Sequence, residues 1–273
     1  MGANAETIWR VPAYLPYLQP PLSDEAVAEA EKSIGYALPA EYLRLLRKQN
    51  GGYIRFSLPK TVHDSIAGIG PHFPSLTGFD WDECQDDVSF QLRGLVPFDG
   101  DGHWHLCLDY RQNSFAPVVT YVDVECDRES HVADSFSDYL AELQIDASDE
   151  YVLVGAEIEK LKADLSQLLG VAFDPPDTWA HGYATHRARF GGKDDQEWIW
   201  ISPNTVPRGF VRPDDNRFAE LKDLLPGYAS RYPEAPEDSF IMSATGGVRS
   251  KVIEAFTRSQ VTVHALSEYV NGR

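Results

Sequence analysis

The chain is 273 residues long and 43% apolar, enough for two domains that each bury a core of their own. Its formal charge of −18 at pH 7 excludes a general nucleic-acid binder, since neutralising phosphates requires an excess of Lys and Arg. Residues 1–146 carry 23 acids against 10 bases and residues 147–273 carry 19 against 14, so the acidity belongs mainly to the first half. A field of that sign suits a basic partner. The three cysteines, Cys84, Cys107 and Cys126, form no CxxC pair, which points to reduced thiols and a cytoplasmic location. No run is long enough to cross a bilayer, and the first 25 residues lack the basic-then-apolar layout of a signal peptide.

Residues 1–22 hold Pro12, Pro16, Pro20 and Pro21 among aromatics and read as an extended lead lying across the surface. Ser23 is placed to cap a first helix, with Asp24 and Glu25 in its opening turn and Val27, Ala30 and Ile34 facing inward. Gly35 ends it, and Pro39 opens a second helix whose buried face is Tyr42, Leu45 and Leu46, stapled by Leu38. Asn50-Gly51-Gly52 stops that helix, and Tyr53–Phe56 follows as a strand.

Residues 57–93 are rich in turn formers and acids, among them His63 and Asp64, and read as a long irregular excursion. Leu95–Phe98 leads into the turn Asp99-Gly100-Asp101-Gly102. The next strand alternates, with Trp104, Leu106 and Leu108 on one face and His103, His105, Cys107 and Asp109 on the other. A strand at Pro117–Val122, an acidic stretch through Asp123, Glu125, Asp127 and Glu129, and a helix at Ala133–Leu143 complete this half.

Taken in order, the acidic helix, Ile34-Gly35, Leu38-Pro39-Ala40-Glu41-Tyr42, the Leu45-Leu46 pair and Asn50-Gly51-Gly52 resemble the signature of the SUKH superfamily. That group includes bacterial immunity proteins and fungal cell-wall assembly regulators of the Smi and Knr type. Two later landmarks are also similar: Pro97-Phe98 with Gly100-Asp101-Gly102 before Leu106-Cys107-Leu108-Asp109, and Ser135-Phe136 with Tyr139-Leu140 in the closing helix. The resemblance covers about residues 20–145. It implies an α+β fold with two N-terminal helices, an antiparallel-rich sheet and a closing helix over residues 23–146. It also implies a non-enzymatic module holding one protein partner.

Residues 146–155 interrupt the apolar pattern and read as a joint. From 155 to 273 the pattern gives a second α+β domain resembling no recognised family. It has a helix at Gly155–Leu169 with Ile158, Leu161, Leu165, Leu168 and Leu169 on one side, and two strands at Ala184–Phe190 and Glu197–Ser202 around a Gly191–Asp195 turn. Further helices are expected at Phe218–Leu225 and Val248–Arg258, and the segment Val261–Val270 fits either a strand or a helix.

Four constellations bear on function. His103 and His105, with Asp99, Asp101 and Asp109 nearby, allow a metal-dependent or small-molecule enzyme, against the plainer reading of loop and edge-strand residues. The acids of 80–87, 99–109 and 123–129 form either a steering face for a basic partner or ordinary solubilising charge. His181, His186, Arg187, Arg189, Trp198 and Trp200 line a pocket or, as the alternation favours, include a buried Trp layer. Ser202 and the cysteines lack the motifs of a nucleophile.

The expectation is therefore a cytoplasmic protein-binding module with no catalytic residue, metal or cofactor, most simply an immunity protein against a basic, nuclease-type toxin. Its binding residues are Phe79, Asp80, Trp81, Asp82, Glu83, Asp86, Asp87, Asp99, Asp101 and Asp109, with His72 and Phe73 as further anchors. An intracellular scaffold with several partners, and an enzyme using His103, His105 and Asp109, are the alternatives.

Overall fold

A computed structural model describes residues 2–59, 61–81, 85, 88–191, 197–257 and 261–270. The chain divides into two compact units, Gly2–Gln144 and Ile145–Arg273, and each combines helices with antiparallel sheet. Among the described residues no helix is long and apolar enough to cross a membrane.

The N-terminal unit begins with β1 (Ala13–Tyr14) and a single 3-10 turn at Leu15–Tyr17. The lead does more than lie on the surface. The Arg10 N–H donates to the Tyr53 carbonyl and the Arg55 N–H to that of Ile8, and both Ile8 and Leu15 are buried.

Helix α1 (Asp24–Ile34) starts where the Ser23 side chain accepts from the Ala26 N–H, and it ends on Gly35 at φ 81°. Its inner residues Val27 and Ala30 are buried and Ile34 is half-buried. Helix α2 (Ala40–Lys48) follows Pro39 and buries Tyr42, Leu45 and Leu46. It stops at an extended Gln49, before the Asn-Gly-Gly run. Asn50 has a different task from the conformational one expected of it. Its amide donates to the carbonyls of Pro20 (2.6 Å) and Ile69 (2.9 Å), and its carbonyl accepts the Ile69 N–H at 2.9 Å. A buried amide satisfied in this way ties three separate loops together.

Of the expected strand Tyr53–Phe56 only Tyr53 lies in a regular one, the two-residue β2 (Gly52–Tyr53), paired with β3 (Ser65–Ile66). The main sheet is an antiparallel meander of β4 (Leu95–Gly100), β5 (Trp104–Asp109), β6 (Val118–Asp123) and β7 (Arg128–Ala133), closed by α3 (Phe136–Glu142) with Ser135 as its cap. The register of β4 shifts between Pro97 and Asp99, leaving Phe98 as an extra residue in a bulge. Phe98 enters the aromatic cluster of Tyr42, Phe136 and Tyr139. Both faces of the sheet are covered. The face of Cys107 and Val122 packs with Leu92 and Leu95 under Trp81, Val88 and Phe90, all supplied by the irregular excursion or β4.

The C-terminal unit begins earlier than its sequence indicates. Strand β8 (Glu150–Val154) lies inside the segment read as a joint, and its Tyr151, Val152 and Leu153 are buried. Helix α4 (Ile158–Leu169) ends at Gly170 and buries Leu161 and Leu165, while Leu168 is exposed. Then follow β9 (His186–Phe190), β10 (Glu197–Pro203), β11 (Thr205–Pro207), β12 (Gly209–Phe210), the one-turn α5 (Phe218–Leu221), β13 (Tyr228–Ser230), β14 (Phe240–Ala244), α6 (Val248–Thr257), β15 (Thr262–Ala265) and α7 (Leu266–Val270). Segment 261–270 is thus a strand and a helix in succession.

The five-stranded sheet runs β15-β8-β14-β10-β9, and β9 and β10 form the expected hairpin. Of the turn between them, residues 192–195 fall outside the described residues. Tyr151, Leu153, Ile199, Ile201, Met242 and Ala244 form one core with Leu161 and Leu165 of α4 and Val252, Ala255 and Phe256 of α6.

Candidate functional site

A cleft of about 570 Å³ opens in the N-terminal unit beside the β4–β5 turn. One wall is aromatic. Tyr17 and Tyr53 lie 5.0 Å apart between ring centres, and Phe73, 75% exposed, meets Tyr17 edge-on at 5.9 Å. The buried Gln19 holds the Phe73 loop in place: its carbonyl accepts the His72 N–H at 3.0 Å, and its amide donates to the carbonyls of Pro74 (3.0 Å) and His72. The opposite wall is Phe79, Pro97 and the turn from Asp99 to His105, including Trp104.

Three carboxylates line this cleft, and each is held differently. Among the described residues Asp64 makes no ion pair or side-chain hydrogen bond. Burial pushes its carboxyl above the usual range and Asp99 adds to this, against the opposing pull of Arg10 and His63. Asp99 is buried to 6% side-chain exposure, with its Oδ2 2.5 Å from Nδ1 of His63 and its Oδ1 receiving the Ser65 hydroxyl. Asp101 is exposed. Burial works against its charge, but the N–H groups of His103 and Trp104 donate to Oδ1 at 2.9 and 3.2 Å and hold it below the ordinary carboxylate range. Among the described residues no lysine or arginine lines the cleft.

His105 also lines the cleft and is 3% exposed. Phe79 and Trp81 meet its ring edge-on at 4.5 and 5.1 Å, and among the described residues Nε2 has no hydrogen-bond partner. Burial lowers its pKa to about 4 despite the opposing pull of Asp101 and Asp99, so the imidazole is neutral at pH 7. Gly100 stands opposite it in the β4–β5 ladder, and a Cβ there would collide with the ring.

Of the residues read from sequence as binding residues, Phe79, Asp99 and Asp101, with the further anchors His72 and Phe73, line this cleft. Asp80 lines a neighbouring one of about 660 Å³ bounded by the end of α1 and by β4. Three placements differ from the expectation. Trp81 is not a free anchor, because its indole N–H donates to the Leu95 carbonyl at 2.9 Å and the ring covers the sheet. Asp99 turns inward to His63. Asp109 is buried, held by a forked pair of bonds from Arg111 (2.9 and 2.7 Å) and by the Thr120 hydroxyl (2.9 Å). Asp82, Glu83, Asp86 and Asp87 lie outside the described residues.

The metal-site alternative has its groups apart. His103 is exposed and pairs with Glu125 at 2.7 Å, His105 is packed edge-on against aromatics, and Asp109 belongs to Arg111. Among the described residues no three His, Cys, Asp or Glu side chains gather as metal ligands. In the C-terminal unit the Trp layer is also corrected. Ile199 and Ile201 are the buried hydrophobic residues of β10, while Trp198 and Trp200 are half-buried and register with Arg189 and Arg187 on the other face. His186 lies on the core side, opposite Ile201.

Sequence reasoning missed Tyr17, Tyr53 and Trp104 as cleft residues. Tyr17, Tyr53, Asp64 and Trp104 are separated along the chain, and only the β2–β3 and β4–β5 pairings bring them to one opening.

The geometry defines an α+β domain with an aromatic-walled cleft whose charged lining, among the described residues, is acidic. The model of the SMI1 / KNR4 family (SUKH-1) matches residues 21–142, within this unit, as the sequence landmarks indicated. At the level of that family the match supports a protein-binding module of immunity type. No family match covers the C-terminal half, and no curated protein matches the chain.

Proposed function

We propose that this chain is a non-enzymatic, cytoplasmic immunity protein that neutralises a basic, nuclease-type toxin domain by seating part of it on the N-terminal unit. The observation that carries this reading is the cleft itself: aromatic walls and three carboxylates, with no lysine or arginine among the described lining residues. Negative potential in a concave surface raises the rate of encounter with a basic partner. Exposed aromatics then slow its release, and Phe73, Phe79 and Trp104 fill that role. Asp80, Asp82, Glu83, Asp86 and Asp87 follow Phe79 in sequence and add to the same charge.

The test is the toxin domain encoded beside this gene, purified and assayed with the full chain. One equivalent is expected to abolish its activity, and Phe73→Ala with Phe79→Ala to weaken binding by at least about tenfold. Equal inhibition by the double variant, or no binding at all, would overturn the reading.

A further inference from the structure

The cleft offers more than apolar surface and charge. Asp64 presents a carboxylate with no ion pair among the described residues, and the two backbone N–H groups that hold Asp101 both donate to one of its oxygens. His105 brings a buried ring nitrogen without a partner. The Gly102 backbone carbonyl accepts the ring N–H, and with Nε2 unpartnered among the described residues that proton lies on Nδ1; Nε2 is then an acceptor, satisfied by a donor that is also drawn to carboxylates. Ammonium and guanidinium both donate. Only guanidinium carries five donors in a planar fork that reaches two acceptors at once and also lies flat on aromatic rings. The aromatic wall already accepts that stacking within the chain, since the Arg10 guanidinium lies over Tyr53 at 5.7 Å from the ring centre.

Building on the proposed function, we infer that the cleft is an arginine-receiving site. An arginine side chain of the partner enters between Tyr53 and Trp104, and its guanidinium is held by Asp64 and Asp101 and donates to Nε2 of His105. Flanking apolar residues of the same segment cover Phe73 and Phe79. Asp99 sets the local potential from beneath, since both its oxygens are already engaged by His63 and Ser65.

The experiment titrates the full chain, labelled with nitrogen-15 at histidine, with three capped pentapeptides: Gly-Trp-Arg-Trp-Gly, its lysine counterpart and its glutamine counterpart. The arginine peptide is expected to shift the His105 Nε2 resonance and to bind roughly tenfold tighter than the glutamine peptide, with lysine between them. Asp64→Asn should remove most of that preference. Asp101→Asn, which keeps the turn acceptor on an exposed residue, should reduce it and serves if the first variant misfolds. If all three peptides bind equally while perturbing His105, the arginine assignment is wrong and the docking reading stands. If none perturbs the cleft, both are overturned.

Discussion

Nδ1 of His63 lies 2.5 Å from Oδ2 of Asp99 while Nε2 of the same ring meets the Tyr139 hydroxyl, so one buried imidazole joins β4 to α3. The Ser65 hydroxyl completes the set on the other carboxylate oxygen. A carboxylate this far from water is tolerated only because each oxygen has a donor, and burial pushes the Tyr139 phenol well above its usual pKa. Removing the centre of the chain and removing its end should therefore differ. His63→Phe leaves Asp99 facing an apolar ring and is expected to cost about 3–5 kcal/mol, whereas Tyr139→Phe deletes one hydroxyl and costs about 1–2 kcal/mol. Urea unfolding of the full chain measures both, and equal small losses would show that the relay contributes nothing.

His105 sets an acid limit on the N-terminal unit. Its folded pKa of about 4 lies below the ordinary 6.5 because burial disfavours the charged ring. As pH falls below 6.5 the unfolded chain binds a proton that the folded one refuses, so stability is lost between pH 6.5 and about 4, on the order of 3 kcal/mol in all. His105→Phe should flatten that part of the curve, read as urea midpoint against pH. A variant that follows the parent through this interval would contradict the assignment.

Gly100 should not tolerate a side chain. A Cβ there would meet both the His105 ring and the Trp104 carbonyl, neither of which has room to retreat within the β4–β5 ladder. Gly100→Ala is expected to destabilise by about 2 kcal/mol or more and to move the His105 ring resonances. At Gly102 a Cβ would meet nothing within 4 Å, so Gly102→Ala costs only the backbone strain of φ 100° and separates that strain from the collision at Gly100.

The two faces of β10 should respond in opposite order to residue size. Ile199 is fully buried against α4 and α6, so Ile199→Ala is expected to cost roughly 2–5 kcal/mol. Trp198 is larger but half-buried beside Arg187, whose guanidinium lies 5.8 Å from its ring centre, and Trp198→Ala should cost about 1 kcal/mol. Thermal unfolding of both variants decides which face is the core.

Local signals were legible in the sequence. The Ser23 cap, the Gly35 and Gly170 stops and the Tyr42-Leu45-Leu46 stripe depend on residues within a turn of one another, and the structure has each of them. What depended on distant partners was not legible. His63 and Asp99 meet only through the fold, so Asp99 read as surface charge. Strand β7 was hidden because its first four residues are exposed and polar, as an edge strand's are. Strand β8 was hidden by the acids just before it, although Tyr151-Val152-Leu153 is a short apolar run. The Trp198–Trp200 alternation fixed which residues share a face without saying which face lies under the helices.

Strand β15 pairs directly with β8, so the earliest and latest strands of the C-terminal sheet are neighbours. During synthesis the N-terminal unit has all of its own contacts once Gln144 has emerged. The second sheet stays open along one side of β8 until Ala265 has been added, presenting unpaired backbone to whatever is near. A ribosome that stalls between these two points would therefore display a finished N-terminal unit tethered to an incomplete, adhesive one.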